Sequence, residues 1–198
     1  MNTIKKIALI VLSLGIFGNI NAQENEAPYT KGDTPGLFPG FKEGFHPQIS
    51  IAPQVGYILF SDANNTGGVA YGAEIALQCP LACTKKNYIR QQVSFLYYAE
   101  DNFKFWSATL NPEYRFLVKP QFELAAGPAL GVSNINLTVL DVSIMNETGF
   151  TYGLSTSATF HFNKVFVGIS PRYMLSTTNN FGGNFNSFQG LVKIGFNL

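Results

Sequence analysis

The sequence predicts an all-β protein, an eight-stranded antiparallel up-and-down transmembrane β-barrel. From residue 48 onward, apolar and polar side chains alternate along eight segments, which is typical of strands with one apolar and one polar face. The segments reach the roughly 9 to 11 residues that a tilted strand needs to cross a membrane. Charged residues are also scarce: they make up 13% of the 198 residues, about half the usual share in a soluble domain.

The overall composition excludes two classes of protein. An aromatic content of 14% is too high for a disordered chain. A formal net charge of +1 supplies no basic surface for a nucleic acid. We therefore expect a folded chain with no nucleic-acid partner.

The first residues have the build of a secretory signal peptide. Lys5 and Lys6 precede an apolar run over residues 7–17, and the small residue Ala22 marks the expected cleavage site. The run is shorter than the roughly 20 residues of a membrane-spanning helix. The predicted division of the chain is a signal peptide (1–22), a flexible N-terminal arm (23–47) and a barrel (48–198).

The predicted strands begin after the arm. In the first of them, Ile49, Ile51 and Val55 lie on one face, and Ser50 and Gln54 lie on the other. Because backbone groups cannot stay unpaired in lipid, strands that cross a membrane must close into a barrel. The predicted strands are residues 48–59, 69–79, 89–99, 106–118, 122–132, 150–162, 165–175 and 188–198.

Residue size indicates which face points outward. The polar face is rich in Gly, Ala and Ser, rather than in the Lys and Glu of a water-exposed surface. Small residues suit the crowded lumen of a narrow barrel, so we expect the apolar face to contact lipid. The alternative is an exported, soluble, lipocalin-like binder in which the two faces are reversed.

Seven charged residues share the polar face and are therefore predicted to lie in the lumen. Because buried charges need partners, we expect them to form a paired network. The alternative is an ion pathway, but the interior of an eight-stranded barrel is about filled by side chains. The seven residues are Glu74, Arg90, Glu113, Arg115, Glu123, Arg172 and Lys193.

The connections between the predicted strands differ in length. Residues 133–149 and 176–187 separate their strands widely, whereas Asn163 and Lys164 form a two-residue hairpin turn in which Asn supplies the left-handed position. Long loops on one side and short turns on the other are typical of barrels in the bacterial outer membrane, which we predict as the location.

Four prolines fall inside the predicted strands: Pro53, Pro112, Pro128 and Pro171. Proline cannot donate a hydrogen bond to a strand ladder, and a closed barrel has no free edge to accommodate it. We predict a β-bulge or a widened ladder step beside each of them.

Several strand motifs resemble the small outer-membrane β-barrel proteins grouped as PorT-like. They are Asn-Pro-Glu-Tyr-Arg-Phe at 111–116, Ala-Gly-Pro-Ala-Leu-Gly at 126–131, Ser-Pro-Arg-Tyr at 170–173 and the alternating end of the chain. The resemblance covers about residues 48–198. It implies an eight-stranded barrel and, for some members, a part in protein secretion across the outer membrane. The motifs are structural and carry over no functional residue.

Cys79 and Cys83 lie in the second connection, on the side of the short turns. An exported protein meets an oxidising compartment, so a disulfide between them is possible, with free thiols as the alternative. One Cys pair without a second pair or a His partner is only weak evidence for a metal site. We expect no metal and no cofactor.

His161 is predicted to face the lumen beside Ser155, Ser157 and Thr159. Because enzymes use His with Ser and an acid, a lipid-modifying barrel enzyme is an alternative function. Small polar residues also simply line a lumen, however, and we predict no catalytic residue.

Two apolar sets are unexpected in a lone barrel, one in the N-terminal arm and one within residues 133–149. Exposed apolar surface of this kind favours a covering partner, although the second set is equally consistent with strands that extend beyond the membrane. The sequence therefore favours a non-enzymatic barrel, a structural or accessory subunit of an envelope secretion or assembly complex. Its expected partners are membrane lipid and other envelope proteins. The candidate partner residues are Phe38, Phe41, Phe45, Leu137, Leu140 and Ile144.

Overall fold

A computed structural model describes residues 48–61, 66–83, 87–100, 102–139, 142–178 and 183–198. The predicted signal peptide and N-terminal arm lie outside these ranges, and so do Phe38, Phe41 and Phe45. Within them, no helix has the length and the apolar character needed to cross a membrane.

The described residues form eight strands, each paired with its neighbours in the chain, and β1 pairs with β8 to close the sheet. All eight pairings are antiparallel. This confirms the predicted closed up-and-down barrel. The strands are β1 (Ile49–Phe60), β2 (Gly67–Cys83), β3 (Asn87–Glu100), β4 (Phe103–Lys119), β5 (Phe122–Val139), β6 (Val142–Phe162), β7 (Val165–Thr178) and β8 (Gly183–Asn197).

The apolar face of every strand points outward. In β1, for example, Ile51 and Val55 are exposed, whereas Ser50 and Gln54 on the other face are buried. Such an outer surface matches lipid and excludes the reversed faces of a soluble lipocalin-like barrel. Large apolar side chains on the outer face include Val69, Tyr71, Ile75, Val93, Phe95, Leu110, Leu130, Leu154, Ile169, Phe188, Val192 and Ile194.

The two ends of the barrel are named here by their connections. The turn side holds the connections of β2 to β3, β4 to β5 and β6 to β7, and the loop side holds those of β1 to β2, β3 to β4, β5 to β6 and β7 to β8. Asn163 has a φ of 60°, the left-handed conformation expected of Asn in a two-residue turn.

Most residues of the predicted long loops on the loop side extend the strands instead. For residues 133–149 this is the strand extension that the sequence left open beside a covering partner. In the widest of them, β5 continues to Val139 and β6 begins at Val142. The alternation persists there with its polarity reversed: Asn134 and Asn136 follow the outward Val132, while Ile135 points inward and is buried. Where a strand leaves the lipid, its outer face changes from apolar to polar.

Both cysteines lie in β2, which corrects the prediction that Cys83 lies in the connection after this strand. β2 continues to Cys83, which pairs with Tyr88, and the register of β2 against β3 shifts between Gln78 and Cys83. This irregularity lengthens β2 through both cysteines. The side chains of Cys79 and Cys83 lie outside the described part of the structure, so their disulfide stays a prediction.

The ladder is interrupted beside each of the four prolines, without a change of register. At Pro53, the pairing of β1 with β8 stops after Ile51↔Phe196 and resumes at Gln54↔Lys193. The interruptions confirm the widened ladder step, whereas the register shifts that mark a bulge occur elsewhere. The other two breaks separate Leu110↔Leu130 from Tyr114↔Ala126, and Ser155↔Arg172 from Ala158↔Ile169.

Two hydroxyl groups bridge the break at Pro171. Ser170 Oγ donates to the carbonyl oxygen of Thr156 at 3.2 Å, in place of the N–H that proline lacks. Thr156 Oγ1 in turn donates to the carbonyl oxygen of Pro171 at 3.2 Å. The barrel wall therefore keeps its hydrogen bonding here through side chains.

Candidate functional site

The lumen has two parts that differ in chemistry. All seven charged residues of the predicted network are buried in it, together with Ser, Thr, Gln and Asn side chains. A cluster of aromatic and aliphatic side chains fills the loop-side end. We refer to the seven charged residues as the charge network and to the second set as the aromatic cluster.

Glu74 links the two cations in one half of the charge network. Its Oε1 accepts from Lys193 Nζ at 2.7 Å, and its Oε2 lies 3.5 Å from Arg172 Nη2. Gln92 Nε2 also donates to Oε2, at 2.6 Å. Four strands, β2, β3, β7 and β8, are thereby linked through one buried carboxylate.

Arg115 links the two carboxylates in the other half of the charge network. Its guanidinium donates to Glu113 Oε2 at 2.9 Å and also to Glu123, which accepts a further hydrogen bond from the Tyr88 hydroxyl. Ser155 Oγ donates to Glu113 Oε1 at 2.8 Å. Each of the two carboxylates therefore has both a cation and a neutral donor, as buried charges require.

Arg90 differs from the other three cations. Its guanidinium donates to Ser50 Oγ and lies over the ring of Phe166, 5.9 Å from the centroid. Among the described residues no carboxylate lies within ion-pair distance of it, and its Nε has no hydrogen-bond partner. The network contains three acids and four bases, and Arg90 is the base left over.

His161 lies at the turn-side end and is half-buried. Its Nε2 is 3.7 Å from Glu123 Oε2 and makes no hydrogen bond to the described residues. Of the hydroxyls that the sequence places on the same face, Ser155 and Ser157 both donate to Glu113, and Thr159 Oγ1 has no hydrogen-bond partner among the described residues. The described contacts do not form the Ser–His–acid relay that a hydrolase or acyltransferase uses.

The aromatic cluster closes the loop-side end of the lumen. Phe60 lies at its centre, with ring centroids 5.4 Å from Tyr98, 5.1 Å from Phe103 and from Phe105, and 5.0 Å from Phe185. These are tilted or edge-to-face contacts, the arrangements that aromatic rings prefer. The sequence analysis missed this cluster, although Phe103, Phe105 and Phe185 continue the inward positions of their strands.

The candidate partner residues of 133–149 do not form one described surface. Leu137 points into the barrel and packs against the aromatic cluster. Leu140 and the side chain of Ile144 lie outside the described part of the structure. In the residues that are described, no group of three or more His, Cys, Asp or Glu side chains could hold a metal ion.

No protein-family model and no curated protein matches this chain. Solved structures match along most of it. Neisserial surface protein A (NspA) is 12% identical with a TM-score of 0.58, covering 75% of this chain and 96% of that chain. The N-terminal β-barrel domain of Pseudomonas aeruginosa OprF is 16% identical with a TM-score of 0.52, covering 75% and 97%.

The chain is also similar to Ail, the attachment invasion locus protein of Yersinia pestis, in complex with the heparin analogue sucrose octasulfate. That structure is 11% identical with a TM-score of 0.51 and covers 77% of this chain and 97% of that one. At such identities the likeness shows the fold alone. The comparisons do not identify the PorT-like family, which stays a hypothesis, and the fold is that of small eight-stranded outer-membrane barrels.

Proposed function

We propose that this protein is a non-enzymatic component of the bacterial outer membrane, a structural or accessory subunit of an envelope secretion or assembly complex. The observation that carries the proposal is the filled lumen. The charge network occupies one part of it and the aromatic cluster closes the other. A barrel whose interior is packed in this way acts through its outer surfaces.

The outer-membrane location is supported by the apolar outer face and by the solved barrels with the same fold. The predicted signal peptide supplies the export that this location requires. The test is extraction with detergent followed by gel electrophoresis with and without heating. A membrane barrel is expected to change mobility on heating, whereas a protein that stays in aqueous extracts would contradict the location.

The loop-side end of β5 and β6 offers a surface for another protein. Its outward residues are uncharged and hydrogen-bonded to one another: Asn134 Nδ2 donates to Asn146 Oδ1 at 2.8 Å and to Thr148 Oγ1 at 3.0 Å. This ordered polar face stands beyond the apolar band, where an envelope partner can reach it. The predicted N-terminal arm, with its three phenylalanines, is the second candidate surface.

Detergent pull-down with mass spectrometry tests the accessory role. Asn134→Arg with Asn146→Arg adds two charges to the loop-side face, and deletion of residues 24–44 removes most of the arm. We expect at least one of the two changes to abolish a co-purifying partner while heat-modifiable mobility is kept. If the unmodified protein has no partner, or if both variants keep every partner, a self-sufficient structural barrel remains.

A lipid-modifying enzyme is the second candidate, and it rests on His161. The Nε2 atom of His161 has no hydrogen-bond partner among the described residues, and Glu123 lies beside it. If His161 only lines the lumen, His161→Ala should leave the lipid composition of the outer membrane unchanged. A lipid modification lost in this variant would make His161 a general base and overturn the non-enzymatic proposal.

A further inference from the structure

Arg90 is a buried cation that has no ion-pair partner among the described residues. Its side chain is almost completely buried, yet its guanidinium contacts a neutral hydroxyl and an aromatic ring rather than a carboxylate. Glu74, Glu113 and Glu123 are each engaged with Arg115, Arg172 or Lys193. An unpaired charge in such a site is costly unless an opposite charge joins it.

Arg90 lies at the turn-side end of the lumen. Its contacts, Ser50 and Phe166, lie next to the turn-side ends of β1 and β7. His161 flanks the same Phe166 ring at a centroid distance of 5.8 Å, and its side chain is 15% exposed. Arg90 and His161 therefore lie around one ring at this end of the lumen. Arg90 Nε is buried and has no hydrogen-bond partner among the described residues, whereas His161 Nε2 lies 3.7 Å from Glu123 Oε2.

We propose that the turn-side mouth of the lumen binds an oxyanion, a phosphate or carboxylate group, through the Arg90 guanidinium. This site goes beyond the proposed function and does not depend on it. A guanidinium is the side chain best suited to such a ligand, because its fork of N–H groups matches two oxygens of a carboxylate or phosphate. The oxyanion has two possible sources, a free anion and a carboxylate of the predicted N-terminal arm, which carries Glu24, Glu26, Asp33 and Glu43.

The experiment is a titration of the folded chain from residue 23, in detergent micelles, with inorganic phosphate. Thermal unfolding is followed by the fluorescence of Trp106, the single tryptophan. Binding to the folded state raises Tm with a saturating dependence on phosphate, here by about 5 °C. Arg90→Gln is expected to abolish this rise and, because it removes an unpaired buried charge, to raise Tm in phosphate-free buffer. Lys104→Gln, which removes an exposed cation at the loop side, should respond as the unmodified chain does.

The source of the oxyanion is identified with a variant of the same chain, from residue 23, that carries Glu24→Gln, Glu26→Gln, Asp33→Asn and Glu43→Gln. If phosphate stabilises both this variant and the unmodified chain, the ligand is a free anion. If phosphate stabilises only the variant, an arm carboxylate occupies the site in the unmodified chain. If phosphate stabilises neither chain, the proposal is overturned.

Two further results decide the role of Arg90 itself. A phosphate response of Arg90→Gln equal to that of the unmodified chain shows an adventitious effect and overturns the proposal. Should Arg90→Gln fail to reach the heat-modifiable folded state, Arg90→Lys keeps the charge without the fork. We expect its half-saturating phosphate concentration to rise about tenfold or more, and an unchanged value rejects the site.

Discussion

Pro112 and Pro128 occupy facing positions in β4 and β5. The ladder between these strands stops at Leu110↔Leu130 and resumes at Tyr114↔Ala126, which places the two prolines opposite each other in the gap. One break thus accommodates two residues that lack an N–H group. Two prolines at different positions along the ladder would interrupt the hydrogen bonding of the barrel wall twice. Each unpaired backbone group in lipid is costly.

At this break the carbonyl oxygen of Pro112 lies against the backbone of Gly127. A Cβ atom on Gly127 would lie 2.1 Å from this oxygen, closer than any side chain tolerates. We predict that Gly127→Ala lowers the free energy of unfolding by about 1–3 kcal/mol through overpacking. Gly190→Ala is the matched control, because a Cβ there meets nothing within 4 Å. Urea denaturation in lipid vesicles measures both, and equal midpoints would contradict the close contact.

The break at Pro171 predicts a coupling between a side chain and a backbone group. Ser170 Oγ supplies the hydrogen bond to Thr156 that the proline nitrogen cannot make. Ser170→Ala should therefore cost about 1 kcal/mol of stability in the unmodified chain. In the Pro171→Ala background a backbone N–H can take its place, so the same substitution should cost less. A double-mutant cycle with additive effects would show that the hydroxyl does not replace the N–H.

Much of this architecture could be predicted from the alternation alone. A period of two places Glu74 and Lys193 on the inner face of their strands, and Ile75 and Val192 on the outer face. The same parity cannot say which acid contacts which base, because the partners lie on strands far apart in the sequence. The pairing of Glu74 with Lys193 depends on the closure of β8 onto β1, and parity does not reveal it.

The strand ends were predicted too short for a physical reason. The sequence analysis identified strands by an apolar outer face, and that face turns polar where the strand leaves the lipid. Lys104 is exposed on the outside of β4, while its neighbours Phe103 and Phe105 are buried inside. The reversed polarity hid the aromatic cluster, although the alternation itself continued through it.

The position of Glu74 between two cations makes it more sensitive to substitution than Lys193. Glu74→Gln leaves Lys193 and Arg172 buried without a described carboxylate partner, and breaking such a pair costs about 3–5 kcal/mol. Lys193→Met removes one cation and leaves Glu74 beside Arg172. We expect a smaller loss in this second variant. Denaturation midpoints measured side by side test the order, and the reverse order would contradict the central place of Glu74.

The lipid-facing surface predicts that the destabilisation caused by a charged substitution depends on its depth in the membrane, even within one strand. Ile75 lies in the middle of β2 and is 55% exposed, whereas Val69 lies near its loop-side end and is 63% exposed. Ile75→Arg should cost about 2–4 kcal/mol of stability in a bilayer, and Val69→Arg about 0–1 kcal/mol. Equal costs for the two variants, or none for Ile75→Arg, would argue against a membrane at mid-strand.

The aromatic cluster predicts that two phenylalanines, one inside it and one on the outer face, contribute differently to the free energy of unfolding. Phe60 is completely buried among four rings, and Phe60→Ala would leave a cavity that the surrounding strands cannot collapse into. Substitutions of this kind cost about 3–5 kcal/mol.

Phe188 is the control, because it lies on the outer face of β8 and is half exposed. Lipid chains can move into the space that Phe188→Ala opens, so no cavity remains and the loss should be smaller. The measurement is the free energy of unfolding of both variants in the same vesicles, with heat-modifiable mobility as the check of folding. If Phe60→Ala costs no more than Phe188→Ala, the cluster is not a packed core, and the loop-side end of the lumen is not closed by it.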